Sequence, residues 1–85
     1  MITAFAETGW ADYLYWQRED KKILKRINEL IREIHRQPFE GLGKPERLRS
    51  ALSTYWSRRI NPEHRLTYKV LDKTVYIAQC RYHYG

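Results

Sequence analysis

Apolar positions are spaced in two ways along the chain, helically in its first half and alternately in its second. Ile23, Leu24, Ile27, Leu30, Ile31 and Ile34 recur every three or four residues, the spacing of one helix face. Lys21, Lys22, Lys25, Arg26, Glu29, Arg32 and Glu33 fall on the other side and read as a solvated surface. Asp20 is placed to cap the N-terminus of this helix, and Pro38 ends it. Upstream, a helix starting at Glu7 or Thr8 carries an aromatic stripe of Trp10, Tyr13, Leu14 and Tyr15 or Trp16, read as packing surface. Before it, "MITAF" is a short, weakly patterned strand.

The second half turns to a period of two. "PFEGLGKPERL", residues 38 to 48, is a loop by its two Gly and two Pro residues, and it lacks the phosphate-loop pattern GxxxxGK[ST]. "STYWSRRI" reads as a strand and "NPE" as a turn. In "HRLTYKVLD", Leu66, Tyr68 and Val70 take one face, and Arg65, Thr67 and Lys69 the other. After a tight "LDK" turn, strict alternation groups Val75, Ile77, Gln79, Arg81 and His83, with Tyr76, Ala78, Cys80, Tyr82 and Tyr84 opposite. The expected fold is a single α+β domain over residues 1–85. Its order is β-α-α-β-β-β, with two helices packed on one face of a mostly antiparallel four-stranded sheet. The other face is then available for polar groups.

Composition narrows the function. Sixteen Lys and Arg against ten Asp and Glu give a net charge of +6, which suits a polyanionic partner such as nucleic acid, or an acidic protein. The single cysteine, Cys80, forms no internal disulfide, and no Cys/His spacing matches a metal site, so neither metal nor cofactor is expected. No apolar run spans a bilayer and no secretory leader is seen, which places the protein in the cytoplasm, off the membrane.

Arg59 ends one strand and Arg65 begins the next, so the two can meet on one face across the turn. His83 leaves the last strand and faces them if its register allows, and Glu46 comes from the preceding loop. A carboxylate, an imidazole and guanidinium groups around one hollow suit RNA cleavage by the neighbouring 2′-hydroxyl. Glu46 would act as base and His83 as acid, with Arg65 and Arg59 stabilising the phosphoryl charge. Tyr84 would stack on a base or orient the phosphate, and no metal is required. Taken alone, each of these residues also has an ordinary structural reading. His64 reads as structural, His35 as a surface helix residue, and Cys80 as buried and inert.

"DYLYWQ", "INELI", "PFEGLGKPERL", "YWSRRI", "EHRL" and "CRYHY" together resemble the YoeB family of toxins, within the RelE superfamily of type II toxin–antitoxin systems. The resemblance runs from Trp10 to Tyr84. It implies a RelE-like fold and a ribosome-dependent endoribonuclease that enters the A site of the 70S ribosome and cuts the bound messenger-RNA codon. Cleavage would leave a 2′,3′-cyclic phosphate and a 5′-hydroxyl. The resemblance assigns catalysis to Glu46, Arg65, His83 and Tyr84, and a binding or stabilising role to Arg59. Arg49 stands where relatives more often carry Lys, and either cation can contact phosphate; Arg49 and Lys44 are expected to join Arg59 in binding RNA. It also implies a YefM-like antitoxin and a homodimer, to which Trp10 and Tyr13 would contribute. A non-catalytic toxin of the ParE type binding gyrase keeps the fold without the chemistry, and Glu46, Arg65 and His83 occurring together argue against it. A plain basic module on the ribosome is the other alternative, and it predicts that His83→Ala leaves translation inhibition intact.

Overall fold

The structure, a computed structural model, describes residues 1–49 and 54–82. Its elements are β1 (Ile2–Phe5), α1 (Glu7–Glu19), α2 (Lys21–Arg36), β2 (Glu46–Arg47), β3 (Trp56–Arg59), β4 (Arg65–Leu71) and β5 (Thr74–Gln79). They form a five-stranded sheet of order β1-β5-β4-β3-β2, antiparallel except where β1 runs parallel to β5. The sequence leads to four strands; the fifth is β2, which pairs Glu46 with Ser57 and Arg47 with Trp56. Two residues are too few for an alternating pattern, so this strand exists because β3 offers it an edge.

Asp20 caps α2 as its sequence position suggests. Its carboxylate accepts from the Lys22 and Ile23 backbone N–H groups at 3.0 and 3.3 Å. Ile27, Leu30 and Ile34 of α2 are fully buried against Leu66, Tyr68, Val75 and Ile77 of the sheet, completed by Trp16 and Ile60. Helix α1 lies so close to β5 that a methyl group on Gly9 would land on the Ile77 carbonyl oxygen. Here glycine is what allows the approach. Among the described residues no helix is long and apolar enough to cross a membrane.

One departure from simple alternation and one buried cation shape the functional face. Tyr68 opposes Ile77 while the adjacent Thr67 opposes Gln79, so Ala78 is an extra residue in β5, a bulge. The bulge reverses the phase. Cys80 therefore joins Val75 and Ile77 in the core, where strict alternation had placed it with Tyr76 and Ala78. Burial first, and Asp12's charge second, push its thiol pKa up to about 12. The buried cation belongs to a pair of adjacent arginines that alternation sets on opposite faces. Arg58 opposes Leu66 on the core face and is fully buried, whereas Arg59 points to the open face beside Arg65. Arg58 donates to the carbonyls of Gln37, Glu40 and Leu42 and to the Tyr68 hydroxyl, which itself donates to the Pro38 carbonyl at 2.7 Å. These bonds tie residues 37–42 to the sheet. Burial raises the Tyr68 pKa, against the opposing hydrogen bond and charge of Arg58.

Candidate active site

On the open face, three strands carry Glu46, Ser57 and Thr67 as successive register partners, and Gln79 extends the row on β5. Arg59 and Arg65 form the next pair along β3 and β4. A cleft of about 290 Å³ opens over these positions, lined by Glu46, Ser57, Arg59, Asn61, Arg65 and Thr67 with Leu48 and Pro62. The pairing of Arg59 with Arg65 across the turn is as the sequence suggests. Glu46 arrives on a strand instead of a loop, and its pairing with Ser57 fixes its distance from the two arginines.

The turn between β3 and β4 is held by Asn61, whose Oδ1 accepts from the Glu63 and His64 N–H groups at 2.9 and 2.7 Å. Arg65 is oriented by Ser57, with Nε donating to Oγ at 2.9 Å. Its remaining N–H groups include one long contact, 3.4 Å to the Ser57 carbonyl. Among the described residues, the Glu46 carboxylate and the Arg59 guanidinium carry no hydrogen bond or ion pair. The Thr67 hydroxyl, buried in the same row, is also unpartnered there. Two guanidinium groups with donors directed at one hollow form a site for a phosphate. A carboxylate at its rim can accept a proton from a hydroxyl held there.

The other sequence-designated residues are placed differently. Lys44 and Arg49 are exposed and outside the cleft lining; Lys44 takes a left-handed backbone conformation (φ 51°) just before β2. His83 and Tyr84 lie outside the described residues. Arg81 does not share the Ile77 face as alternation would have it, because the strand ends at Gln79. Its guanidinium stacks 3.7 Å from the centroid of the Tyr15 ring on α1. His35 is half-buried and bonds Thr3 Oγ1 through Nε2 at 2.6 Å, so it is not a free surface residue. His64 is structural, as its sequence position suggests, with its ring edge-on to Trp16 at 4.8 Å. Ser57 and Thr67 were not singled out by sequence. Counting back two from Arg59 and on two from Arg65 reaches both, which is the signal that marks them.

Residues 5–84 match the sequence model of the YoeB-like toxin of bacterial type II toxin–antitoxin systems. The chain is 60% identical to toxin YoeB of Escherichia coli strain K12 over 99% of its own length and 100% of that protein. Two solved structures from Staphylococcus aureus superpose closely. The YoeB dimer gives a TM-score of 0.93 at 50% identity, covering 99% of this chain and 98% of that one. The YoeB–YefM complex gives 0.91 at 49% identity with the same coverage.

Proposed function

This chain belongs to the YoeB-like toxins of bacterial type II toxin–antitoxin systems, and from that premise we propose that it is an endoribonuclease cutting messenger RNA at the ribosomal A site. The observation that carries this reading is the convergence of Glu46, Arg59 and Arg65 on one cleft, with Arg65 preset by Ser57. Glu46 takes the proton from the 2′-hydroxyl of the nucleotide 5′ to the scissile bond. The freed oxygen attacks the adjacent phosphorus, and the bond to the 5′-oxygen of the next nucleotide breaks. His83 gives that leaving oxygen its proton, so the products are a 2′,3′-cyclic phosphate and a 5′-hydroxyl. Arg65 and Arg59 hold the phosphoryl oxygens as their charge rises. Tyr84 packs on the nucleotide at the same end. The chain supplies the base, the acid and the cations itself, so the reaction needs no metal. Arg49 and Lys44, exposed beside β2, meet the RNA backbone further from the bond that breaks.

A YefM-like antitoxin is the expected protein partner, supported by the Staphylococcus aureus complex and by the +6 charge, which suits an acidic segment. A homodimer is expected on the same footing. Mapping of messenger-RNA 5′ ends in a purified translation reaction tests the reading. Wild-type protein should cut within the A-site codon only when ribosomes are present, and Glu46→Gln and His83→Ala should lose the cuts. Arrest of translation by all three proteins without any cut would replace catalysis with simple binding to the ribosome.

A further inference from the structure

Strand β5 ends at Gln79, yet the backbone beyond it is held as firmly as a strand. The Cys80 N–H donates to Asp12 Oδ2 at 3.1 Å, and Trp16 Nε1 donates to the Cys80 carbonyl at 2.9 Å. Two residues on, the Tyr82 N–H donates to His64 Nδ1 at 2.7 Å, and the Arg65 N–H donates to the Tyr82 carbonyl at 2.8 Å. Tyr82 is meanwhile in the left-handed region, φ 59°, which a tyrosine adopts only where its surroundings impose it. Segments of this kind ordinarily fray. Asp12 and Trp16, one turn apart on α1, hold the near end, and the 64–65 corner holds the far end.

We propose that His64 is a positioning residue for the catalytic acid, its Nδ1 lone pair fixing the Tyr82 backbone from which the chain continues to His83. The inference rests on the reading of His83 as that acid. A backbone N–H can only donate, so Nδ1 is the accepting nitrogen and the ring proton sits on Nε2. That nitrogen faces the Glu63 carboxylate at 3.5 Å. Edge-on packing against Trp16 leaves the 6%-exposed ring little freedom to turn. The adjacent Arg65 holds Tyr82 through its backbone and offers its guanidinium to the cleft. One corner therefore sets both the phosphate-binding cation and the origin of the acid-bearing segment. His83 follows Tyr82 directly in the sequence.

Three substitutions test this in a cleavage assay on programmed ribosomes, with His83→Ala run alongside and thermal unfolding recorded for each. His64→Leu removes the acceptor and keeps apolar bulk against Trp16. His64→Asn returns an oxygen acceptor close to the Nδ1 position, and His64→Gln places the same amide one carbon further out. His64→Leu should lower kcat by about 10–100-fold, the scale of misplacing a catalytic group, with KM nearly unchanged. His64→Asn should recover most of the rate, and His64→Gln should not. Equal rates for Asn and Gln, or kcat losses that simply track lost thermal stability, would overturn the proposal; if the Leu variant fails to fold, the Asn–Gln pair still decides. Wild-type cleavage by His83→Ala would instead overturn the reading beneath it, whatever the His64 variants do.

Discussion

Replacing Arg58 with methionine is expected to be among the more damaging single changes in this chain, although the residue stands next to the site and not in it. Methionine keeps most of the apolar stem and removes every donor. Four acceptors are then abandoned: the carbonyls of Gln37, Glu40 and Leu42 and the Tyr68 hydroxyl. Hydrogen bonds from a charged donor contribute about 1.5–3 kcal/mol each. Against this, removing the guanidinium relieves the desolvation of a fully buried cation, which costs several kcal/mol. The carbonyls also lie in a loop with exposed residues on either side of Gly41, where water can partly replace the lost donors. The net loss is then about 2–4 kcal/mol, a large share of the ~5–15 kcal/mol typical of a domain. It corresponds to a fall in Tm of about 10–25 °C for a chain of this size. Urea denaturation followed by circular dichroism measures it. Trp56, which packs on Phe39 of the same loop at 4.8 Å, gives a local fluorescence signal. Arg58→Lys should fall between, since one ammonium cannot serve four acceptors fanned around a planar group. A loss under about 0.5 kcal/mol for Arg58→Met, inside the range of ordinary surface substitutions, would refute the assignment of Arg58 as the anchor of residues 37–42.

Gly9→Ala should destabilise by about 1–3 kcal/mol in the same denaturation assay, because a methyl would strike the Ile77 backbone; a gain, as alanine gives in an open helix, would mean that α1 sits further from β5. Cys80, with its thiol pushed up to about 12, should resist alkylation at pH 8 in the folded protein and react only after unfolding, which mass spectrometry reads directly. His35 has its pKa lowered, first by burial and then by the N-terminal charge, so the unfolded chain binds its proton at a higher pH than the folded one. Its stabilisation is therefore complete above the ordinary value of 6.5 and declines as pH falls below it; His35→Gln should flatten that slope in unfolding curves taken from pH 7.5 to 5. Glu46→Gln should lower kcat by about 10²–10⁴-fold while leaving Tm unchanged, and a codon carrying a 2′-deoxy nucleotide at the cleavage position should not be cut by the wild-type protein.

Much of this was legible in the residues, and what was not has physical causes. Helix α2 was legible because Ile27, Leu30 and Ile34 keep helical spacing with a charged opposite face. The pairing of Arg59 with Arg65 was legible because a short turn leaves adjacent strands little choice of register. Strand β2 was not, since Glu46 and Arg47 make no pattern and owe their conformation to β3. The bulge at Ala78 was not, because alternation reads on through an inserted residue, and the sides of Gln79 and Cys80 were misassigned as a result. Arg58 was illegible as an anchor because composition treats arginine as a surface residue. Its burial depends on carbonyls far away in sequence. His64 and Tyr82 meet across eighteen residues through a single lone pair, and no local pattern encodes such a contact.

The parallel pairing of β1 with β5 has a consequence for how the molecule is made. The first strand in chain order waits for the last, because β5 lies between β1 and β4 in the sheet. During synthesis the helical pair emerges early and the β3–β4 hairpin just before β5, and both rest on local contacts, which form fast. β1 then has no neighbour to pair with, and Gly9 of α1 no backbone to approach, until β5 is delivered. Closing that pairing spans nearly the whole described chain, the kind of step that loop-closure entropy makes slow. Insertion of β5 is thus expected to complete the sheet, and the clamp on Tyr82 can form only after it.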